Sequence, residues 1–182
     1  MAHIVVITGS ARPNSVNSKV TKAVVDALES KEGVTVAVAD LVALELPFMA
    51  GEMAPSQPDY TITEPRVKEW ADMVAGADGV VFVSPEYNHS MSGIQKNAID
   101  WLYKEWNDKP AAMIAYGAYT GKHVIENFKE VNSVIKTKLS DEAVAGLLLG
   151  EDLAWDGSIA DKETVATRID SALNELLRTI AG

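Results

Sequence analysis

Cysteine is absent from the chain, which removes disulfides, thiolate metal sites and cysteine nucleophiles at once. Histidine is scarce: His3, His89 and His123 are scattered, and no two have the i, i+4 spacing of a helix-borne metal pair. Lysine and arginine number 16 against 26 acidic residues, and the resulting net charge of −10 argues against a nucleic-acid partner, whose phosphates need a basic surface. No apolar run approaches the roughly 18–20 residues that a membrane span requires. The first residues, Met1 to Val6, run directly into a strand-like segment without a basic leader or cleavage signal. The expectation is a cytoplasmic protein with neither a nucleic-acid nor a membrane partner.

What is present is ordinary globular material. With 182 residues, 47% apolar and 23% charged, the chain is expected to form one domain over residues 1–182 with a sizeable core. Short apolar runs alternate with helical patterns. Strands are expected at His3–Thr8, Val34–Val38, Gly79–Val83, Ala111–Tyr116 and Ala143–Leu149. Val16, Val20, Ala23, Val24, Ala27 and Leu28 fall on one helical face, and further helices are expected at Glu64–Ala77, Ile94–Lys104, Lys122–Lys138 and Asp161–Ala181. Leu46–Tyr60, with three prolines and a glycine, reads as a long surface loop.

This alternation predicts an α/β fold: a parallel sheet with helices on both faces. Ligands bind such sheets outside the carboxyl ends of the strands, where strand order reverses. Three polar, glycine-bearing loops occupy those ends: Gly9–Asn17, Pro85–Gly93 and Gly117–Gly121.

In the first loop, Ser10, Arg12, Ser15, Asn17 and Ser18 surround a helix start, and that donor set suits a phosphate. The bland alternative is that Asn14 or Ser15 merely caps the helix. The dinucleotide fingerprint G-x-G-x-x-G is absent, Gly9 being the one glycine in the loop. In the second loop, Pro85, Glu86, Tyr87, Asn88 and Ser90 end an apolar strand with far more chemistry than a turn needs. In the third, Gly117 to Lys122 resembles a nucleotide P-loop but is one residue short and lacks the following Ser or Thr.

Gly9-Ser10-x-Arg12-x-x-Ser15-x-Asn17, followed by Pro85-Glu86-Tyr87-Asn88-x-Ser90 and Gly93-x-x-Lys96-Asn97-Ala98-Ile99-Asp100-Trp101, resembles the NADPH-dependent FMN reductase family of flavodoxin-like quinone, chromate and azo-dye reductases. The resemblance implies a three-layer α/β/α sandwich whose five parallel strands run in the order 2-1-3-4-5. It places the FMN phosphate on Ser10, Arg12, Ser15 and Asn17, with Ser18 beside them. It places the isoalloxazine ring against Pro85, Glu86, Tyr87, Asn88 and Ser90, with Tyr116, Gly117 and Tyr119 at its edge. It further implies an enzyme in which NADPH or NADH gives hydride to bound FMN, and a quinone, azo dye, chromate or free flavin takes the electrons. No side chain is assigned as a catalytic acid or base and no metal is expected. A flavodoxin-type electron carrier and a flavin-free binding relative are the alternatives.

Similar proteins are dimers. The contact candidates are the loop Leu46–Tyr60 and the segment Ile94–Trp106, where Trp101, Tyr103 and Trp106 look exposed, although core packing accounts for some of these aromatics equally well; pairs of dimers would give a tetramer. Two departures from the family pattern stand out: Met91-Ser92 where a proline usually precedes the glycine, and Gly121-Lys122 where a glycine pair is usual. His89 reads as a solvated loop residue, Lys122 as a solvated lysine or a phosphate ligand, and Lys96 and Asp100 as an i, i+4 surface pair.

Overall fold

A computed structural model describes residues 1–182. In chain order the elements are β1 (Ala2–Ile7), α1 (Val16–Glu29), β2 (Val34–Ala39), α2 (Pro65–Gly76), β3 (Gly79–Pro85), α3 (Gly93–Asp100), β4 (Ala111–Gly117), α4 (Lys122–Ile135), β5 (Val144–Leu148) and α5 (Lys162–Ala181). The five strands are parallel and ordered β2-β1-β3-β4-β5, as expected.

Burial follows from strand position. Every residue of β3 and of β4 is buried, because helices cover both faces of the sheet centre, and this is why both strands read as unbroken apolar runs. The period of two splits each strand between two cores. Ile4 and Val6 of β1 face α1 and α5, while Val5 and Ile7 face the side of α2 and α4. Each such buried aliphatic side chain contributes about 1.5–3 kcal/mol. The α2/α4 side also holds an aromatic group: Phe82 lies 5.6 Å from Trp106 and 4.7 Å from Phe128, and Trp70 meets Trp106 edge-on at 5.8 Å.

The Ile94–Lys104 helix ends early, at Asp100. Trp101 and Trp106 would point about 140° apart on a continued helix. Instead the chain turns, and both indoles enter the core. Trp101 donates from Nε1 to the Pro47 carbonyl at 2.7 Å, and Trp106 donates to the Ile99 carbonyl at 3.1 Å. Trp106 is fully buried and Trp101 is 9% exposed, so core packing, not subunit contact, accounts for these two rings. The α4 helix also stops short of Lys138, because Lys136 takes a left-handed conformation (φ 60°) and Asn132 accepts the Lys136 and Thr137 backbone N–H groups with its carbonyl and its side chain.

No helix is long and apolar enough to cross a membrane. The strand order reverses between β1 and β3, and the loops after β1, β3 and β4 meet at that edge.

Candidate functional site

The first loop is braced from below. Asn17, on the first turn of α1, is buried and accepts the Gly9 N–H at Oδ1 (3.1 Å) while donating from Nδ2 to the Val83 carbonyl (3.0 Å). It therefore ties β1, α1 and β3 together, and both of these bonds run inward from the surface a phosphate would reach. Gly9 fits there because a Cβ would stand 2.2 Å from the Val83 oxygen and 2.6 Å from Pro85 Cδ. Pro85 is buried at the end of β3.

Above this brace the loop is open. Ser15 is the N-cap of α1, its hydroxyl makes no capping bond, and the first turn carries no acidic residue. The positive end of the helix is thus left unsatisfied. Arg12, Asn14 and Ser18 are exposed; Ser18 donates to the Ser15 carbonyl at 2.9 Å. These residues, with Ser10, Thr8, Asp40 and Val42, line a cleft of about 300 Å³. Larger hollows of about 520 and 560 Å³ lie elsewhere, one between Pro55, Tyr60 and Glu105 and one beside Lys122, Lys129 and Arg168.

Two side-chain contacts join the loops. Ser10 Oγ and the Tyr87 hydroxyl are 2.8 Å apart, linking the first loop to the second. Glu86 Oε2 accepts the His123 backbone N–H at 2.9 Å, linking the second to the N-terminus of α4. Tyr87 to Ser90 form a tight turn closed by Tyr87 N–H to Ser90 O (2.8 Å) and Ser90 N–H to Tyr87 O (3.0 Å). Its central residues, Asn88 (φ 49°) and His89 (φ 64°), both take positive φ, as in the turns that best join twisted antiparallel strands. Ser90 then donates to Asn127 Oδ1 at 2.9 Å, fastening the turn to α4 a second time.

The third loop leaves β4 at Gly117, whose carbonyl accepts the Thr120 and Leu149 N–H groups. Gly121 has φ 68°, and a Cβ there would lie 2.6 Å from Ala115 Cβ, so the single remaining glycine is dictated by the approach of α4 to the sheet. Tyr119 is 61% exposed beside this loop. Tyr116 is buried on the α1 side of the sheet, and burial pushes its phenol well above the ordinary range, so it stays neutral. Lys122 remains largely solvated, 3.9 Å from Glu126. Lys96 and Asp100 form the surface pair at 2.7 Å.

The structure thus gathers Ser10, Arg12, Ser15, Asn17 and Ser18 around one cleft, with the Asn17 amide bonded to Gly9 and Val83, and sets Glu86, Tyr87, Asn88, Ser90, Gly117 and Tyr119 along the adjoining rim. Among the contributors outside the sequence assignment are Asp40, His123 and Asn127. Asp40 lines the cleft with its carboxylate turned to its own backbone, accepting the Val42 N–H at 2.9 Å. Its position just after β2, at the same edge of the sheet, was the available signal. His123 and Asn127 come from α4, where nothing in the sequence separates them from a solvated helical face.

A parallel α/β sheet in this strand order, with polar loops at the switch point, defines the class: a flavodoxin-like fold. Residues 2–145 match the NADPH-dependent FMN reductase family, and the chain belongs to it. An NAD(P)H-dependent FMN reductase of Nectria sp. is 35% identical over 152 residues, covering 79% of this chain and 74% of the relative. An NADPH:quinone oxidoreductase of Arabidopsis thaliana is 32% identical over 125 residues, covering 66% of this chain and 61% of its own. Among solved structures, the flavoenzyme NAD(P)H:(acceptor) oxidoreductase FerB of Paracoccus denitrificans superposes with a TM-score of 0.74 at 25% identity, over 100% of this chain and 98% of that one.

Proposed function

We propose that the protein is an FMN-dependent NAD(P)H oxidoreductase that reduces quinones or similar small acceptors. The observation that carries this reading is the uncapped start of α1 beside Arg12, joined through Ser10 and Tyr87 to the loop after β3. That arrangement fits FMN. The free N–H groups of α1, the Ser15 hydroxyl and the Arg12 guanidinium receive the phosphate, and the Tyr87–Ser90 turn offers its edge to the ring. Asn17 acts through the backbone, holding Gly9 and Val83 so that the phosphate loop keeps its shape. Glu86 does the same for the rim by fixing α4 against the turn.

Bound FMN supplies the capacity to accept hydride from a nicotinamide and return the electrons to an acceptor. The protein's residues orient the participants, with Tyr116 buried and neutral at the end of β4. The family's flavoproteins and the quinone oxidoreductase relative support this reading.

A second copy of this chain is the proposed partner, as a dimer or a pair of dimers. Because Trp101 and Trp106 are internal, the contact would fall on the loop 46–60, where Phe48 is 84% and Met53 39% exposed.

Anaerobic mixing of FMN-loaded protein with NADPH or NADH tests the proposal. Bleaching of the yellow flavin, followed by its return on adding a quinone, is the expected result. A flavin that stays oxidised would make the protein an electron carrier, and failure to retain FMN would make it a flavin-free relative.

A further inference from the structure

The sequence separates His89 from His123 by a strand and a helix, yet the fold stacks their rings with centroids 3.9 Å apart and planes 27° from parallel. Glu86 joins them: one carboxylate oxygen and one nitrogen from each ring all lie within 4.8 Å of one another. We propose that Glu86, His89 and His123 form a binding site for a divalent transition-metal ion of the Zn²⁺ type.

Two imidazoles and one carboxylate are a donor set that suits zinc and its first-row neighbours. Ligand atoms bound tetrahedrally to one such ion at about 2.0–2.2 Å stand about 3.3–3.6 Å apart. From the 4.8 Å limit the three groups therefore need to close by up to about 1.5 Å. The His89 side chain is exposed and can rotate, and the His123 side chain is 32% exposed. Glu86 already has Oε2 committed to the His123 backbone, which fixes the carboxylate at the site and leaves Oε1 for an ion.

Glu126 Oε2 lies 3.7 Å from His123 Nδ1, and a small side-chain rotation brings it to hydrogen-bond distance of that ring. Tyr119 stands edge-on to both rings, at 6.0 Å from His89 and 5.7 Å from His123, and walls one side. Three protein ligands leave at least one coordination position for water or another oxygen donor. An ion held here would clamp the Tyr87–Ser90 turn to α4. The proposal rests on these side chains alone, although Glu86 also belongs to the rim assigned to the flavin ring.

The test is titration of FMN-loaded protein with Zn²⁺ alone, followed by calorimetry and by the thermal unfolding midpoint. Wild type is expected to take up one ion per chain at saturation and to unfold at higher temperature with Zn²⁺. H123A and H89G are each expected to bind at least about tenfold more weakly, as loss of a metal-site partner typically causes. H3A, which removes the remote histidine near Thr35, is expected to bind like wild type. H89G keeps the test decisive if H123A folds poorly, because φ 64° is a conformation glycine adopts freely. Absence of saturable Zn²⁺ uptake, or uptake in H89G equal to wild type, overturns the proposal.

Discussion

Glu86 and His123 are joined across two loops: the carboxylate accepts the His123 backbone N–H at 2.9 Å, at the second residue of α4. The N-cap of that helix is Gly121, which has no side chain to offer, so the cap comes from a neighbouring loop. An anion at this end of a helix is favoured both by the hydrogen bond and by the macrodipole. Glu86→Ala is expected to lower unfolding stability by about 1–2 kcal/mol. Glu86→Gln keeps an acceptor but loses the charge, and should recover all but about 0.3–1 kcal/mol of that loss. Urea unfolding midpoints of the three proteins check the order. Equal stability of Glu86→Ala and wild type would show that the contact contributes nothing.

Asn17 leads to a different expectation from the one its motif carries. Its amide bonds to Gly9 and to Val83 are both internal, so its removal leaves a buried donor and a buried acceptor unpaired. Each orphaned group costs about 1–3 kcal/mol, so Asn17→Ala is expected to lose about 2–6 kcal/mol of stability. Its effect on FMN affinity should follow from loosening of the loop. Chemical denaturation without FMN separates the two: a variant as stable as wild type would show that Asn17 does not act as a brace.

The two kinds of residue differ in how they read from sequence. The unbroken apolar runs of β3 and β4 and the single-face pattern of α1 were legible because burial on both faces, or on one, leaves a periodic trace. The loops after β1, β3 and β4 were legible as site candidates because polar, glycine-bearing segments followed strands of a parallel sheet. The aromatics at 101 and 106 were not, since a helix end and a continued helix have the same local composition; only the reach of each indole to a carbonyl decides where they point. Direction was equally invisible for Asn17, whose amide has the same chemistry whether it faces a phosphate or the Val83 carbonyl. The approach of His89 to His123 depends on α4 crossing the end of β3, a tertiary fact with no local signature.

The start of α5 gives a pH-dependent expectation. Asp161 is the N-cap, its side chain accepting the Thr164 N–H at 3.0 Å, and that hydrogen bond holds its carboxyl below the ordinary 3.8. A carboxyl with a depressed folded-state pKa contributes stability that is fully present above its unfolded value. The contribution is lost as pH falls through the folded value. Asp161→Ala is therefore expected to melt below wild type at neutral pH, and the gap should narrow as the pH is taken below 3.8. Thermal melts across that range check the sign; a gap that widens in acid would refute the assignment.

Arg12 separates cofactor binding from folding. It is exposed beside the open end of α1 and makes no side-chain bond within the protein, so Arg12→Ala should change stability by no more than about 0.5 kcal/mol. A guanidinium bonded to a phosphate contributes about 1.5–3 kcal/mol, which corresponds to about a 10–100-fold weaker FMN affinity when it is removed. Riboflavin shares the ring but has no phosphate, so its affinity should be the same for wild type and Arg12→Ala. The measurement is a pair of fluorescence-quenching titrations, one with each flavin, on both proteins. Equal loss for FMN and riboflavin would move Arg12 from the phosphate to the ring, and no loss for either would remove it from the site.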